Sequence, residues 1–196
     1  VKIGIIDTGI DYKHPDLGGC FGLGCKVEGG YDFANNDNDP MDEHGHGTHV
    51  AATAAGNNPI LNGVAPDATL YAYKVFGSSG GAFDSDIIAA IDRCVDPNGD
   101  ADFADHLDVC SMSLGVDCKN YFGGYTDECS PDDILSLSSD NAMRNGVVIT
   151  IAAGNSGPGS GTVGSPGTSR LAITVGAACK PQDVGVRCRE NIAGFS

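Results

Sequence analysis

Five short runs rich in Val, Ile and small residues, at 2–7, 69–76, 107–114, 146–153 and 171–177, alternate with longer stretches of helical pattern. No other feature limits the possible folds as tightly. Runs that are apolar nearly throughout, rather than at every second residue, suit strands covered on both faces. The helical stretches are 46–56, 82–95 and 130–146. Strands alternating with helices imply a parallel sheet with helices on both faces, a three-layer α/β fold. In the last helix, Ser130 is the expected N-cap and Pro131 suits the first turn. Asp132 and Asp133 suit the positive end of its dipole, and Gly146 closes it. No internal repeat, low-complexity tract or linker interrupts the pattern, so residues 1–196 read as one domain.

Composition removes several functions. The chain carries 26 Asp and Glu against 11 scattered Lys and Arg, a net charge of −15. Nucleic-acid binding needs clustered cations that displace counterions, so no nucleic-acid partner is expected. An anionic membrane surface is disfavoured for the same reason, and no apolar run approaches the ~20 residues of a membrane helix. The acidity reads either as plain solubility or as carboxylates that bind calcium. The chain opens directly on the strand-like "VKIGIID", so a targeting segment is expected outside it.

The eight cysteines contain no C-x-x-C pair, which removes zinc-ribbon and thioredoxin-like chemistry. Their even number favours an oxidising, extracytoplasmic compartment, and secretion is the expectation. Local pairs would be Cys20 with Cys25, Cys118 with Cys129 and Cys179 with Cys188. Cys94 and Cys110 remain, as a fourth pair or as two buried thiols.

Functional groups in such folds gather at the carboxyl ends of strands. That rule selects Asp7, the segment Ser113, Leu114 and Gly115, and Asn155. Asp7 stands in "IIDTGID", where it reads equally as a turn-forming Asp. An aspartic-protease reading of D-T-G needs a second equivalent motif, and the chain has none. His46 opens the helix "HGTHVAATAAG". A helix N-terminus disfavours imidazolium, which suits a neutral imidazole that takes a proton. The helix is built of small residues, so it can lie close to the sheet and bring His46 toward Asp7. A metal site from His44, His46 and His49 competes with this reading, but the spacing is not H-E-x-x-H. Asn155, on the Gly-flanked turn "AAGNSG", offers a side-chain amide able to stabilise an oxyanion; an Asx turn is the other reading.

Together "DTG", "HGTHVA" and "AAGNSG" make the chain resemble the subtilisin-like serine proteases, the subtilases. "GIDYKHPDLGG", "YDFANNDNDP", "NGVAPDATLYAYKVF", "SMSLG" and "GSPGTSRLAITVGA" are similar to family segments in the same order. The resemblance implies a subtilisin-like parallel sheet and a serine endopeptidase acting on polypeptides through an Asp-His-Ser triad. His46 would be the general base, Asp7 would orient it, and Asn155 would be the oxyanion donor. Ser113, Leu114 and Gly115 would pair with substrate backbone, and Ala152, Ala153 and Gly154 would form the opposite wall of the P1 pocket. Ala52 stands where the family usually has Gly. No cofactor is implied for the chemistry. Structural calcium is implied at Asp16 with the loop 56–63, and a second oxygen-rich loop lies at 35–40. Solvated acidic turns are the other reading of both.

The family nucleophile lies in a Gly-Thr-Ser at the start of a helix. Here Gly167-Thr168-Ser169 leads into the strand-like "RLAITVGA", so Ser169 is not expected to be that nucleophile. Ser111 and Ser113 belong to the substrate edge, and Ser196 is the last residue. The chain therefore reads as the N-terminal and central part of a peptidase domain, truncated at both ends and inactive alone. The remainder of its own catalytic domain would supply the serine. A non-catalytic binding or scaffold module is the alternative.

Overall fold

The computed structural model describes residues 1–60, 62–77, 80–117, 129–179, 188–189, 192–193 and 195. Six parallel strands form the main sheet: β1 (Lys2–Asp7), β2 (Val27–Asp32), β3 (Thr69–Lys74), β4 (Val109–Met112), β5 (Val148–Ala152) and β6 (Ile173–Val175). Their order across the sheet is β2-β3-β1-β4-β5-β6. A short antiparallel pair follows, β7 (Cys188–Arg189) with β8 (Ile192–Ala193).

All five sequence-derived strands are present, with ends trimmed where pairing stops. β2 was not expected. Its sequence VEGGYD offers little β-propensity. Gly30 is nevertheless required there, because a Cβ would lie 2.0 Å from the Ala72 carbonyl oxygen on β3.

Three α-helices cover the sheet: α1 (His46–Ala55), α2 (Asp84–Val95) and α3 (Ile134–Arg144). On one face Ile3, Ile5, Leu70 and Ala72 pack with Ala51 and Ala55 of α1. On the other, Ile6, Tyr73, Met112, Ile149 and Ile151 pack with Ile87 and Ile91 of α2 and Leu135 of α3. Successive residues of β1 and β3 thus enter opposite cores, as the period of a strand requires. Burial on both faces explains why these runs lack polar alternation.

The N-cap of α3 is Asp133, not Ser130. Asp133 Oδ1 accepts from Ser136 N–H at 2.8 Å. Ser130 Oγ instead accepts from Asp132 N–H, which holds the preceding turn. Gly146 follows the helix with φ +100°, as expected of a closing residue.

Disulfides join Cys20 to Cys25 and Cys94 to Cys110. The second ties α2 to β4 with both residues fully buried, which settles the open choice for this pair. Cys129 and Cys179 are also disulfide-bonded. Their expected partners, Cys118 and the side chain of Cys188, lie outside the described residues.

Strand order sets the location of the site. β1 lies between β3 and β4, so the chain reverses its direction of winding there. Such a switch point opens a crevice at the carboxyl ends of the strands.

Candidate active site

Asp7 ends β1 and is fully buried. His46 begins α1, and its Nδ1 lies 2.7 Å from Asp7 Oδ1. A carboxylate only accepts, so the proton of this bond sits on Nδ1. Nε2 keeps its lone pair and can take a proton from a hydroxyl placed beside it. The carboxylate is enclosed while the imidazole reaches the surface, with side-chain exposures of 1% and 46%. Thr8 N–H donates to the same Asp7 oxygen at 2.7 Å, which fixes the orientation of the carboxylate.

The close approach of α1 depends on Gly47. A Cβ there would lie 2.1 Å from the Gly9 carbonyl oxygen and 3.1 Å from Asp7 Cβ. Gly47 N–H donates instead to Thr8 Oγ1 at 2.9 Å. The small-residue helix thus brings His46 to Asp7, as its sequence led one to expect.

Two clefts open above these strand ends. One, of about 370 Å³, is lined by Thr8, His46, Lys74, Phe76 and Ser113. The other, of about 530 Å³, is lined by Val50, Met112, Ser113, Ala152, Gly154 and Asn155. Ser113 borders both. Asn155 is exposed on the turn after β5, and its amide is not part of the Asp7–His46 contact.

Strand pairing in β4 stops at Met112, so Ser113, Leu114 and Gly115 run on past the sheet. Ala153 and Gly154 do the same from β5, whose last pair is Ala152 with Val175. The loop after them joins the two walls. Gly164 N–H donates to Ala153 O at 3.1 Å, and Val116 N–H donates to Ser165 O at 2.9 Å. These bonds tie the segments after β4 and β5 to residues 164–165.

Ser169 lies further along the same loop and bonds to α3. Its Oγ donates to Asp140 Oδ1 of α3 at 2.5 Å and accepts from Ala172 N–H at 3.1 Å. Asp140 is fully buried. Burial alone would raise its pKa, but the Ser169 hydroxyl and the Leu171 N–H outweigh that and hold it below the ordinary value. Ser169 is a fastener of the turn.

Lys74 escaped the sequence reading. It is opposite Asp7 in register and buried, with Nζ 3.3 Å from both Asp32 Oδ2 and Glu43 Oε2. Burial lowers its pKa, and the Asp32 and Glu43 carboxylates raise it further than that, to a net rise. The pair could not be read from sequence because Asp32 ends the unexpected strand β2.

The oxygen-rich loops are partly self-bonded. Asp16 Oδ1 accepts from Asn58 Nδ2 at 2.9 Å, and Asn58 N–H donates to Asn62 Oδ1 at 3.0 Å. In the other loop Tyr12 donates to Asp39, and Asn35 donates to Asp32. Among the described residues, no three His, Cys, Asp or Glu side chains converge as metal ligands, the histidines of 44–49 included.

The model of the subtilase family matches residues 1–196. The minor extracellular protease Vpr of Bacillus subtilis (strain 168) is 45% identical over 190 residues, 92% of this chain and 21% of that protein. Subtilisin DY of Bacillus licheniformis is 39% identical over 200 residues, 100% of this chain and 60% of that protein. Among solved structures, sphericase matches with a TM-score of 0.74 at 35% identity, over 100% of this chain and 58% of that one. This chain therefore spans from 21% to 60% of the length of these two protein relatives.

Proposed function

The chain belongs to the subtilase family, and from that premise we propose that it carries the base, its orienting carboxylate and the oxyanion donor of a secreted serine endopeptidase. The observation that supports this most is the 2.7 Å contact between His46 Nδ1 and Asp7 Oδ1 at the switch point of the sheet.

A polypeptide substrate would lie extended along Ser113, Leu114 and Gly115, adding a strand to the free end of β4. Its P1 side chain would enter between that segment and Ala152, Ala153 and Gly154. A serine hydroxyl from the remainder of the catalytic domain would attack the scissile carbonyl, while His46 Nε2 takes its proton. Asp7 would stabilise the imidazolium formed. The Asn155 amide would donate to the carbonyl oxygen as it gains negative charge. His46 would then return the proton to the leaving amine, and water would release the acyl group by the same steps in reverse. On this reading the nucleophile lies in that remainder, and residues 1–196 alone would be inactive.

The cleft beside Asn155 supports completion by a further segment of the protein. Val50 of α1, Met112, Ile151 and Val175 line it, a surface suited to an apolar helix. Disulfides support secretion. Asp16, Asn58 and Asn62 present carboxylate and amide oxygens in one bonded chain, the donor type calcium takes. A structural calcium there would raise thermal stability, and an unchanged Tm in EDTA would argue against it.

A serine-directed phosphonate, applied to the intact protein and mapped by mass spectrometry, tests the catalytic reading. The expected adduct lies on a serine outside residues 1–196 and disappears in His46→Ala. An adduct on Ser169, or labelling that survives His46→Ala, would overturn it.

A further inference from the structure

Helix α1 starts without a capping side chain, because its N-cap is Gly45. The first amide donors of a helix still need acceptors. They find them outside the helix. Gly47 N–H donates to Thr8 Oγ1, and Thr48 N–H donates to Asp42 Oδ2 at 2.9 Å. Asp42 Oδ2 also accepts from Thr48 Oγ1 at 2.6 Å. Its Oδ1 accepts from Thr8 Oγ1 at 3.0 Å, from His44 N–H at 2.8 Å and from Gly45 N–H at 2.9 Å. Thr48 Oγ1 in turn accepts from Asp11 N–H at 2.8 Å. One carboxylate thus collects five donors from the two segments that carry Asp7 and His46.

We propose that Asp42 is a positioning residue that locks the turn after β1 to the start of α1 and so sets the Asp7–His46 geometry. The inference rests on the peptidase reading of that pair. Asp42 touches neither residue. It acts through Thr8, whose N–H fixes Asp7 and whose hydroxyl holds Gly47, the neighbour of His46. A cap on α1 itself would hold the helix end but not its distance from β1. Delegating the cap to the loop before the helix and to the β1 turn holds both. Burial alone would raise the pKa of Asp42, but the Thr48 hydroxyl and the N–H groups of Gly45, His44 and Thr48 outweigh it and depress it. The lock therefore stays ionised, as acceptance from five donors requires.

Asp42→Ala in the intact protein is the test, with two readings. Peptide hydrolysis should lose about tenfold to a hundredfold in kcat, with KM changed less than about threefold, because geometry rather than binding is disturbed. The low-field proton resonance of the His46–Asp7 bond should broaden or move upfield, which a role in stability alone would not produce in a folded variant. Asp42→Asn keeps an acceptor oxygen toward Thr8, His44 and Gly45, and should recover part of both readings. A folded Asp42→Ala with unchanged kcat and unchanged resonance would overturn the proposal. So would lost kcat with the resonance intact. If Asp42→Ala does not fold, Thr8→Val removes the hydroxyl that joins Asp42 to β1 and to Gly47, and unchanged kcat in that variant would be equally decisive against the lock. An intact wild-type protein without peptidase activity would instead sink the peptidase reading, while the resonance would still report on Asp42.

Discussion

Replacing Gly47 by Ala separates Asp7 from His46 without removing either. The new methyl would lie 2.1 Å from the Gly9 carbonyl oxygen, where ordinary contact begins near 3.4 Å. The obstacle is backbone, buried behind β1, and cannot rotate away. Relief requires α1 to move outward by roughly 1 Å, more than a 2.7 Å hydrogen bond tolerates. A misplacement of about 1 Å at reacting groups costs on the order of 10²-fold in rate. That is about 2.7 kcal/mol of activation free energy. Overpacking itself costs about 1–3 kcal/mol of stability. At roughly 2–4 °C per kcal/mol for a domain of this size, Tm should fall by about 2–12 °C. The assay is kcat and KM of the intact protein on a chromogenic peptide, with Tm from circular dichroism. Gly159→Ala is the control, since its Cβ would meet only Thr162 Cγ2 at 3.7 Å. A Gly47→Ala protein with kcat within threefold of wild type and an unchanged Tm would refute the reasoning that α1 is held at contact distance.

Ser169→Ala should leave kcat within about threefold while lowering stability by roughly 1.5–3 kcal/mol, the scale of a hydrogen bond to a buried charge; a large kcat loss at unchanged Tm would make Ser169 functional instead. Asp140 has a depressed folded-state pKa, so its stabilising effect is present above the ordinary value of 3.8 and is lost as pH falls through the lower folded value. Urea titrations below pH 4 should therefore show a shallower acid loss of stability in Asp140→Asn than in wild type, and identical slopes would count against this linkage. The Cys94–Cys110 bridge closes a loop of sequence separation 16, so replacing both by Ala should cost about 3 kcal/mol. Because both cysteines are fully buried, thiol trapping of the native protein in dithiothreitol should find them oxidised until it unfolds; rapid trapping under native conditions would show the bridge is accessible.

Much of the fold was legible because burial on both faces leaves a direct trace. Ile3, Ile5 and Ile6 of β1, like Ile149 and Ile151 of β5, enter dry cores, so their runs are apolar without alternation. β2 left no such trace. Its two glycines answer to the nearness of β3, which only the assembled sheet imposes. The cap of α3 shows a similar limit. Ser130, Asp132 and Asp133 all have cap chemistry, and the backbone alone chose Asp133.

The site divides in the same way. Sequence picked out the candidates for the chemistry, because strand ends in a parallel sheet are few and Asp7, Ser113 and Asn155 stand at them. It also gave the reason His46 approaches, a helix whose buried residues are the small Gly47, Ala51 and Ala55. The tertiary structure alone decided the rest. It aimed Nδ1 of His46 at Asp7, bonded Ser169 to Asp140, and gathered Thr8, Gly45 and Thr48 around Asp42. The physical reason is that a hydrogen bond depends on tenths of an ångström between groups distant in the chain, whereas burial depends only on which face of an element a residue occupies.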